Sequence, residues 1–248
     1  MKIIDAVWEK RNLGVNTLEI EIEDSDIAIS KDDIKSKILD CIDKNKFQYY
    51  VLKFDTRNID LYMLMDEIGF RFAEVQFDFS ICKSDFLSED HSKIERFNSL
   101  EVNEYNDEKY YDFIISKIDE GIFATDRIAL DPYFGKQISN MRYANWVRDL
   151  AGKDGYSIYI ATSDGKEVGF SLNKYIDKTC YGLLGGVFKE YQSSGLGLFL
   201  HYVDLNKVFE KYDAMKTTLS SNNIKVINLW QYFSAKMSRI RYVYVKHI

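Results

Sequence analysis

The chain has 248 residues, of which 46% are hydrophobic and 15% aromatic, with a formal net charge of −6. This composition predicts a soluble protein with one large core or two smaller ones, and the acidic balance argues against nucleic acid or an anionic membrane surface as main partner. No apolar run reaches the roughly twenty residues of a membrane span, and the charged N-terminus does not resemble a signal peptide. The widely spaced Cys41, Cys82 and Cys180 predict free thiols in a reducing cytoplasm.

The first third of the chain alternates predicted strands and helices. Leu18, Ile20 and Ile22 alternate with polar neighbours, which predicts a strand over 17–23. The remaining elements predicted here are a helix over 31–45, a strand over 49–54, a helix over 58–68 and a strand over 72–81. A polar, acidic run over 83–93 then predicts a boundary between a domain at 1–88 and a domain at 94–248.

The second region begins with two predicted helices, over 106–120 and 134–151, around an irregular segment. Strands over 156–162 and 168–174 form a predicted hairpin, because Ser163-Asp164-Gly165 suits a tight turn. The elements that follow are a strand over 179–187, a helix over 196–212, a strand over 216–220, a helix over 223–233 and a strand over 241–246.

A weak internal repeat connects the two regions. Residues 58–70 align without gaps on residues 223–235, and three positions are identical: Asn58/Asn223, Ile59/Ile224 and Leu64/Leu229. Each segment follows a predicted strand and precedes another. The pattern indicates a duplicated helix–strand unit, with chance similarity of two amphipathic helices as the alternative.

The segment from Val187 to Gly197, Val-Phe-Lys-Glu-Tyr-Gln-Ser-Ser-Gly-Leu-Gly, joins a predicted strand to a predicted helix. Gly195 and Gly197 have no Cβ, so a ligand can approach the backbone closely there. The N–H groups at a helix start lack intrahelical partners, and together with the helix dipole they favour a phosphate. The segment therefore predicts a phosphate-binding loop.

A strand, a Gln-x-x-Gly-x-Gly loop and a helix in this order resemble the acetyl-CoA pyrophosphate site of the GNAT N-acetyltransferase superfamily. The resemblance implies an α/β (α+β) GNAT fold, a mixed central sheet with flanking helices, preceded by a smaller degenerate GNAT-like half that binds no cofactor. It also implies that the strand before the loop splays from its neighbour and that the strand positions Gly185 and Val187 hold the pantetheine arm of acetyl-CoA. The loop residues implied at the pyrophosphate are Gln192, Ser193, Ser194, Gly195, Leu196 and Gly197. The sequence departs from the superfamily at Gln192, where Arg is commoner, and at Lys189, where Pro is common.

Two further positions follow from the same resemblance. Asn223 matches an Asn at a strand end that reaches the cofactor, and it equally suits the N-cap of the helix that follows. Trp230 occupies the catalytic position at which the superfamily often has a Tyr that protonates the departing thiolate. An indole N–H donates a hydrogen bond but cannot act as an acid, so Trp230 indicates a slow enzyme, a substitute acid elsewhere, or a plain core residue. The general base is unknown at this level.

A third group of residues surrounds the irregular segment: Arg127, Tyr133, Tyr143 and Trp146. It is similar to a region that walls the acceptor site in enzymes of the dTDP-fucosamine acetyltransferase type, and the early segment 12–17 resembles these enzymes too. The resemblance implies that Arg127, Tyr133 and Tyr143 bind the substrate, with aromatic faces on a sugar ring and the guanidinium on a diphosphate. Helix packing is the alternative role for Tyr143 and Trp146.

Together these features predict an acyl-CoA-dependent N-acetyltransferase that uses acetyl-CoA as co-substrate. The expected acceptor is a small-molecule primary amine, an amino sugar on a nucleotide. The expected protein is a cytoplasmic monomer or homodimer, without nucleic-acid or membrane partners and without a metal site. Two alternatives stay open, a CoA-binding module with weak catalysis and an acetyltransferase that acts on a protein or peptide amine.

Overall fold

The computed structural model describes residues 1–26, 30–44, 47–105, 107–192 and 194–248. Its strands are β1 (Lys2–Asp5), β2 (Thr17–Glu21), β3 (Tyr49–Asp55), β4 (Arg71–Cys82), β5 (Glu101–Tyr105), β6 (Tyr156–Ser163), β7 (Lys166–Ile176), β8 (Thr179–Val187), β9 (Ala214–Ser220) and β10 (Lys236–His247). They form one ten-stranded mixed sheet in the order β1-β2-β3-β10-β4-β9-β8-β7-β6-β5. The pairs β2–β3 and β8–β9 are parallel, and the neighbours elsewhere in the sheet are antiparallel.

Helices cover both faces of this sheet. They are α1 (Val7–Leu13), α2 (Lys31–Lys44), α3 (Ile59–Glu67), α4 (Lys83–Leu87), α5 (Ser92–Phe97), α6 (Glu108–Asp119), α7 (Arg127–Leu130), α8 (Gly135–Leu150), α9 (Leu196–Phe209) and α10 (Ile224–Tyr232). Successive strand residues point to opposite faces, so Tyr50 and Leu52 pack under α2 and α3, while Tyr49 and Val51 pack with Ile128 of α7. In the part of the chain that the structure describes, no helix has the length and apolar character needed to cross a bilayer.

The mixed α/β fold predicted from the sequence is confirmed, with its helices on both sides of one sheet. The predicted elements from residue 17 onward are present, and six short ones were missed: β1, α1, α4, α5, β5 and α7. The polar run 83–93, where a domain boundary was predicted, contains α4 and part of α5, whose Phe86 and Ile94 are buried in the core under α9. Such short elements owe their conformation to tertiary packing rather than to a local periodicity.

The two halves of the chain exchange their last strands. β10 lies between β3 and β4, and β4 in turn pairs with β9. Each half therefore completes its sheet with the final strand of the other half. The boundary near 89–93 stays a prediction, while the structure shows that the two halves share one sheet.

The predicted internal repeat is confirmed as a structural repeat, and it is longer than the aligned segments. The elements α2, β3, α3 and β4 have the same lengths as α9, β9, α10 and β10, at a constant offset of 165 residues: Lys31 to Leu196, Tyr49 to Ala214, Ile59 to Ile224 and Arg71 to Lys236. Asn58 and Asn223 start the two equivalent helices with similar backbone angles, φ −93° and −98°. The sheet is thus built from two related units that meet at β4 and β10.

Candidate active site

The parallel strands β8 and β9 separate partway along their length. Thr179–Tyr181 of β8 pair with Ala214–Lys216 of β9, and beyond them the described residues of β8 pair only with β7. At the point of separation, the Thr217 hydroxyl donates a hydrogen bond to the Gly182 carbonyl at 2.9 Å. The parting expected from the sequence resemblance is therefore present, and it leaves one edge of β8 open over Gly185 and Val187.

A β-bulge lies at the same place. Leu172 is opposite Leu184 and Asn173 is opposite Gly182, so Leu183 is the extra residue on β8. A bulge bends its strand and increases its twist, which turns the end of β8 away from β9. The separation is thereby built into the register of β7 and β8.

Glycines on β8 allow close packing behind the open edge. A Cβ at Gly185 would lie 3.1 Å from the Phe170 carbonyl oxygen, and a Cβ at Gly182 would lie 2.9 Å from Met215 Cε. At Gly186 no atom lies within 4 Å of the Cβ position among the described residues. A side chain at 185 would press on the main chain of β7, whereas at 182 the flexible end of Met215 can move aside, so Gly185 is the glycine that fixes the shape of the opening.

The loop after β8 leads directly into α9. A short 3₁₀ turn covers Lys189–Tyr191, after which the Gln192 amide group donates to the Val187 carbonyl at 3.4 Å. Gly195 adopts a left-handed conformation with φ +83°, and α9 begins at Leu196. The first turn of α9, which includes Gly197, contains no acidic residue. A helix start of this kind attracts anions.

Ser194 and Ser193 complete the predicted loop set. The Ser194 hydroxyl donates to the Tyr191 carbonyl at 2.6 Å and accepts from the Leu196 N–H at 3.3 Å. Ser193 lies outside the described residues. The structure thus brings the described members of the predicted pyrophosphate set to one helix start, at the open end of the β8–β9 separation.

Asn223 and Trp230 lie on the α10 side of the separation. Asn223 stands between β9 and α10 as the N-cap residue, but its side chain makes no capping hydrogen bond with the described residues. Trp230 is 4% exposed and packs against Phe79 and His201, with ring centroids 6.4 Å and 5.1 Å away. The core alternative raised for Trp230 is thus what its packing shows, and its role at a thiolate stays a prediction. Burial lowers the pKa of His201 to about 4, so this ring is neutral at pH 7.

A buried polar cluster, which sequence reasoning missed, lies between α9 and β7. Asp204 accepts from the Ser171 hydroxyl at 2.7 Å and from the Asn173 amide at 3.3 Å. Burial raises the pKa of Asp204 to about 6, although the two hydrogen bonds act in the opposite direction. Ser171 and Asn173 belong to β7 and are opposite Gly185 and Gly182 of β8, respectively. The cluster therefore fastens α9 to the strand that supports the open edge.

The predicted substrate residues are divided between two places. Arg127 and Tyr143 lie on the sheet face that α7 and α8 cover; burial raises the pKa of Tyr143 above its usual range, and the charge of Arg127 acts in the opposite direction. Arg127 donates to Glu19 at 3.3 Å, with Glu74 nearby. Tyr133 is apart from them: it is 72% exposed and stacks on His247 at 4.1 Å. The guanidinium of Arg127 is already engaged by a carboxylate, so its pairing with a diphosphate stays a prediction.

Two other groups escaped the sequence reasoning. Glu74 is a buried carboxylate in the middle of β4, and Asp204 is a buried carboxylate within α9. Neither belongs to a recognisable motif, since a single acidic residue in an otherwise ordinary strand or helix gives no local sign of burial. Only the folded arrangement reveals them, with Glu74 on the sheet face beside α7 and Asp204 between α9 and β7.

No protein-family model and no curated protein matches the sequence. Solved structures do match. A conserved protein of unknown function from Staphylococcus epidermidis ATCC 12228 is 15% identical, with a TM-score of 0.63 over 94% of this chain and 84% of its own. A GCN5-related N-acetyltransferase from Sphaerobacter thermophilus is 9% identical, with a TM-score of 0.64 over 99% of this chain and 75% of its own. A tandem GNAT protein from the clavulanic acid biosynthesis pathway is 11% identical, with a TM-score of 0.54 over 87% of this chain and 69% of its own. The chain therefore has the fold of the GCN5-related N-acetyltransferases.

Proposed function

We propose that this protein transfers the acetyl group of acetyl-CoA to a primary amine. The observation that carries the proposal is the separation of β8 from β9 immediately before the glycine-led start of α9. This arrangement offers an extended main-chain edge and a helix N-terminus in succession, which fits a ligand with an amide-containing arm and a diphosphate. The similarity to solved structures of N-acetyltransferases supports the same reaction class.

Different residues of the site would bind different parts of acetyl-CoA. The backbone from Gln192 to Gly197 would hold the pyrophosphate of acetyl-CoA, while Gly185 and Val187 would hold its pantetheine arm. Asn223, whose side chain makes no capping hydrogen bond, would reach the cofactor from the opposite side of the opening. Main-chain N–H groups of β8 would stabilise negative charge on the thioester oxygen.

Acetyl-CoA supplies an activated acyl group: the amine nitrogen bonds to the carbonyl carbon, the carbon–sulfur bond breaks, and the proton lost by nitrogen balances the thiolate. The protein contributes mainly by aligning the two reactants, which is worth several orders of magnitude in rate. We further propose an amino sugar on a nucleotide as acceptor. The aromatic side chains of Tyr143 and Trp146, packed on α8 beside the sheet, support a sugar ring as the neighbouring group.

A second candidate function is binding of CoA with weak catalysis. The burial of Trp230 among Phe79 and His201 favours it, because the position at which a Tyr acid is expected then holds a packing residue. Loss of a positioned acid lowers turnover by about 10²–10⁴-fold. The two candidates share one binding site and differ only in rate.

Calorimetric titration with acetyl-CoA tests the proposal first. We expect saturable binding with one site per chain, followed by amine-dependent release of free CoA thiol in a screen of amino sugars and simple amines. Binding without thiol release would favour the second candidate function. Absence of acetyl-CoA binding to the folded protein would refute both.

A further inference from the structure

A charged layer lies on the sheet face beside α7 and α8, away from the predicted cofactor loop. We use the name charged layer for Glu19, Lys53, Glu74 and Arg127. Lys53 donates to Glu19 at 3.1 Å, and Arg127 donates to the same carboxylate at 3.3 Å. Burial alone would lower the pKa of Arg127, but the charges around it, including Glu19 and Glu74, raise that pKa, so the guanidinium stays charged.

The strand register brings Glu74 into this layer. Val243 of β10 is opposite Lys53 of β3 on one side and opposite Glu74 of β4 on the other. Directly opposed residues share a face of the sheet, so Lys53 and Glu74 flank Val243 on the same face. Val243 packs in one cluster with Ile128, the residue after Arg127. Arg127 therefore lies over this face of the sheet, where it bonds to Glu19 and is close to Glu74.

Two atoms of the charged layer lack hydrogen-bond partners among the described residues. Glu74 is 2% exposed; its Oε1 accepts from Gln76 at 3.0 Å, whereas its Oε2 has no partner. The Arg127 side chain is 10% exposed, and its Nε has no partner either. Buried polar atoms are nearly always satisfied, by protein, ordered water or a ligand. Here one acceptor and one donor are left over in the same layer.

The strand β4, which carries Glu74, pairs with β9, and β9 in turn borders the separation from β8. Val75, adjacent to Glu74, exchanges two hydrogen bonds with Ser221, which directly follows β9: 3.1 Å to its hydroxyl and 2.7 Å from its N–H. Gln76 is opposite Ser220, the last residue of β9, so Glu74, two residues before Gln76, is a diagonal neighbour of that strand end, roughly 7–8 Å away. Tyr143 connects the two places, because it lies in the field of Arg127 and Glu74 and packs in the cluster that contains Leu184 of β8.

We propose that Glu74 Oε2 and Arg127 Nε form the acceptor site for a small vicinal amino alcohol, the grouping present in an amino sugar. The ammonium group would donate to Glu74, and the neighbouring hydroxyl oxygen would accept from Arg127 Nε. A carboxylate suits the site less well, because a bidentate pair needs two N–H groups on one side of the guanidinium, and one Nη is committed to Glu19. This inference rests on the proposed acetyl transfer and narrows its substrate class.

A matched pair of amines tests the site. Initial rates at saturating acetyl-CoA are compared for trans-2-aminocyclohexanol and cyclohexylamine, which differ only in the hydroxyl. We expect the wild-type protein to prefer the amino alcohol by at least tenfold in kcat/KM. Arg127→Lys keeps the positive charge beside Glu19 but removes Nε, and should reduce that preference to near unity. Glu74→Gln keeps the side-chain shape and should lower kcat/KM for both amines at least tenfold.

The control variant is Arg142→Lys, which changes a guanidinium whose Nε is already bonded to Glu9 at 2.7 Å. It should leave the selectivity ratio unchanged. Circular dichroism, thermal midpoint and acetyl-CoA affinity establish that each variant is folded, and the isosteric Glu74→Gln decides the matter if Arg127→Lys does not fold. Wild-type kcat/KM for both amines in Glu74→Gln would overturn the proposal.

Binding measurements keep this test separate from that of the proposed function. If acetyl-CoA binds but neither amine is acetylated, the amino alcohol is titrated calorimetrically into the protein–CoA complex. Heat that Glu74→Gln abolishes would support the acceptor site, and absence of heat would overturn it. If acetyl-CoA does not bind at all, the proposed function fails, and the same titration into the free protein decides the site alone.

Discussion

The two halves of the sheet each contain a parallel strand pair connected by a fourteen-residue helix, and only one of these pairs opens. β2 and β3 stay paired over all of Thr17–Glu21, and the Ile22 N–H extends the ladder to Lys53 at 2.9 Å. β8 and β9 part after Tyr181 and Lys216. The same architecture thus produces a closed seam in one half and an opening in the other.

The starts of the two helices differ in a complementary way. Before α2, the Ser30 hydroxyl accepts from the Asp33 N–H at 3.2 Å and donates to the Asp33 carboxylate at 2.7 Å, with Asp32 also in the first turn. Before α9 stands Gly195, and the first turn has no acidic residue. A helix start that carries carboxylates repels an anion, whereas a neutral one attracts it. Fold alone therefore does not confer binding; a few residues at one helix start decide it.

The largest effect is expected from a substitution in β10, the strand that contacts both halves of the sheet. Val243 is fully buried in β10, between β3 and β4. Val243→Pro removes a main-chain donor from a central strand, and we expect it to lower the free energy of unfolding by about 3 kcal/mol or more. Near-ultraviolet circular dichroism and urea unfolding should show both halves lost together. Ile3→Pro in the edge strand β1 is the control and should cost less; a wild-type unfolding midpoint for Val243→Pro would show that the halves do not depend on their shared strand.

The second largest effect concerns the cores of the equivalent helices. Asp204 of α9 corresponds to Leu39 of α2 at the constant offset. Because burial raises the folded-state pKa of Asp204 from 3.8 to about 6, protonation favours the folded state. This contribution, about 3 kcal/mol, is complete below pH 3.8 and is lost as the pH rises through 6.

Urea unfolding at a series of pH values from about 3.5 to 8, a range that spans both pKa values of Asp204, measures its contribution to the free energy of unfolding. Asp204→Asn should remove most of this pH dependence from the free energy of unfolding. Ser171→Ala, which deletes a hydrogen bond that favours the carboxylate, should move the window to higher pH. An unchanged pH profile in Asp204→Asn would contradict the assignment.

Acetyl-CoA affinity should distinguish two left-handed glycines. Gly195 (φ +83°) starts α9, and Gly14 (φ +75°) ends α1; neither Cβ position has an atom within 4 Å among the described residues. Replacement by Ala should cost each about 1 kcal/mol of stability, because a Cβ is strained in that conformation. Only Gly195→Ala should also weaken acetyl-CoA binding, by about tenfold, as calorimetry would show. Equal affinities in the two variants would place the ligand elsewhere.

The smallest effect is expected at Trp230 and its counterpart Met65, both buried in equivalent helices. Met65→Leu should lower the free energy of unfolding by about 1 kcal/mol, since a similar volume is retained, and Trp230→Phe by about 1–2 kcal/mol, since it leaves a small cavity. Neither should change the rate of thiol release by more than about threefold. A tenfold or greater loss for Trp230→Phe alone, with acetyl-CoA affinity intact, would assign the indole a part in catalysis.

Local patterns predicted the elements that have a clear period of their own. The helix expected at 31–45 is Lys31–Lys44, and the strand expected at 49–54 is Tyr49–Asp55. The glycine loop was also predictable, because glycine and helix-start chemistry are local, and the family resemblance implied the parting of β8 from its neighbour. The insertion of β10 between β3 and β4 was not, since it depends on pairing between residues far apart in the chain.

The charged layer shows the same limit for the site. Arg127 was singled out from its neighbours in sequence, but its partner Glu19 comes from β2. Glu74 had no motif to mark it, and its burial arises only when β4, β10 and α7 meet. A cluster of side chains from several strands could therefore not be predicted from the sequence, whereas the glycine loop, which is one continuous segment, could.

The exchange of β4 and β10 also sets an order of events during synthesis. β3 and β4 leave the ribosome with a vacant place between them, which a strand made much later must fill. Domains that fold as they emerge escape such a delay, and this one does not. We expect nascent chains arrested before residue 236 to be cleaved readily by protease, whereas the released chain resists; early resistance would show that another strand occupies the gap first.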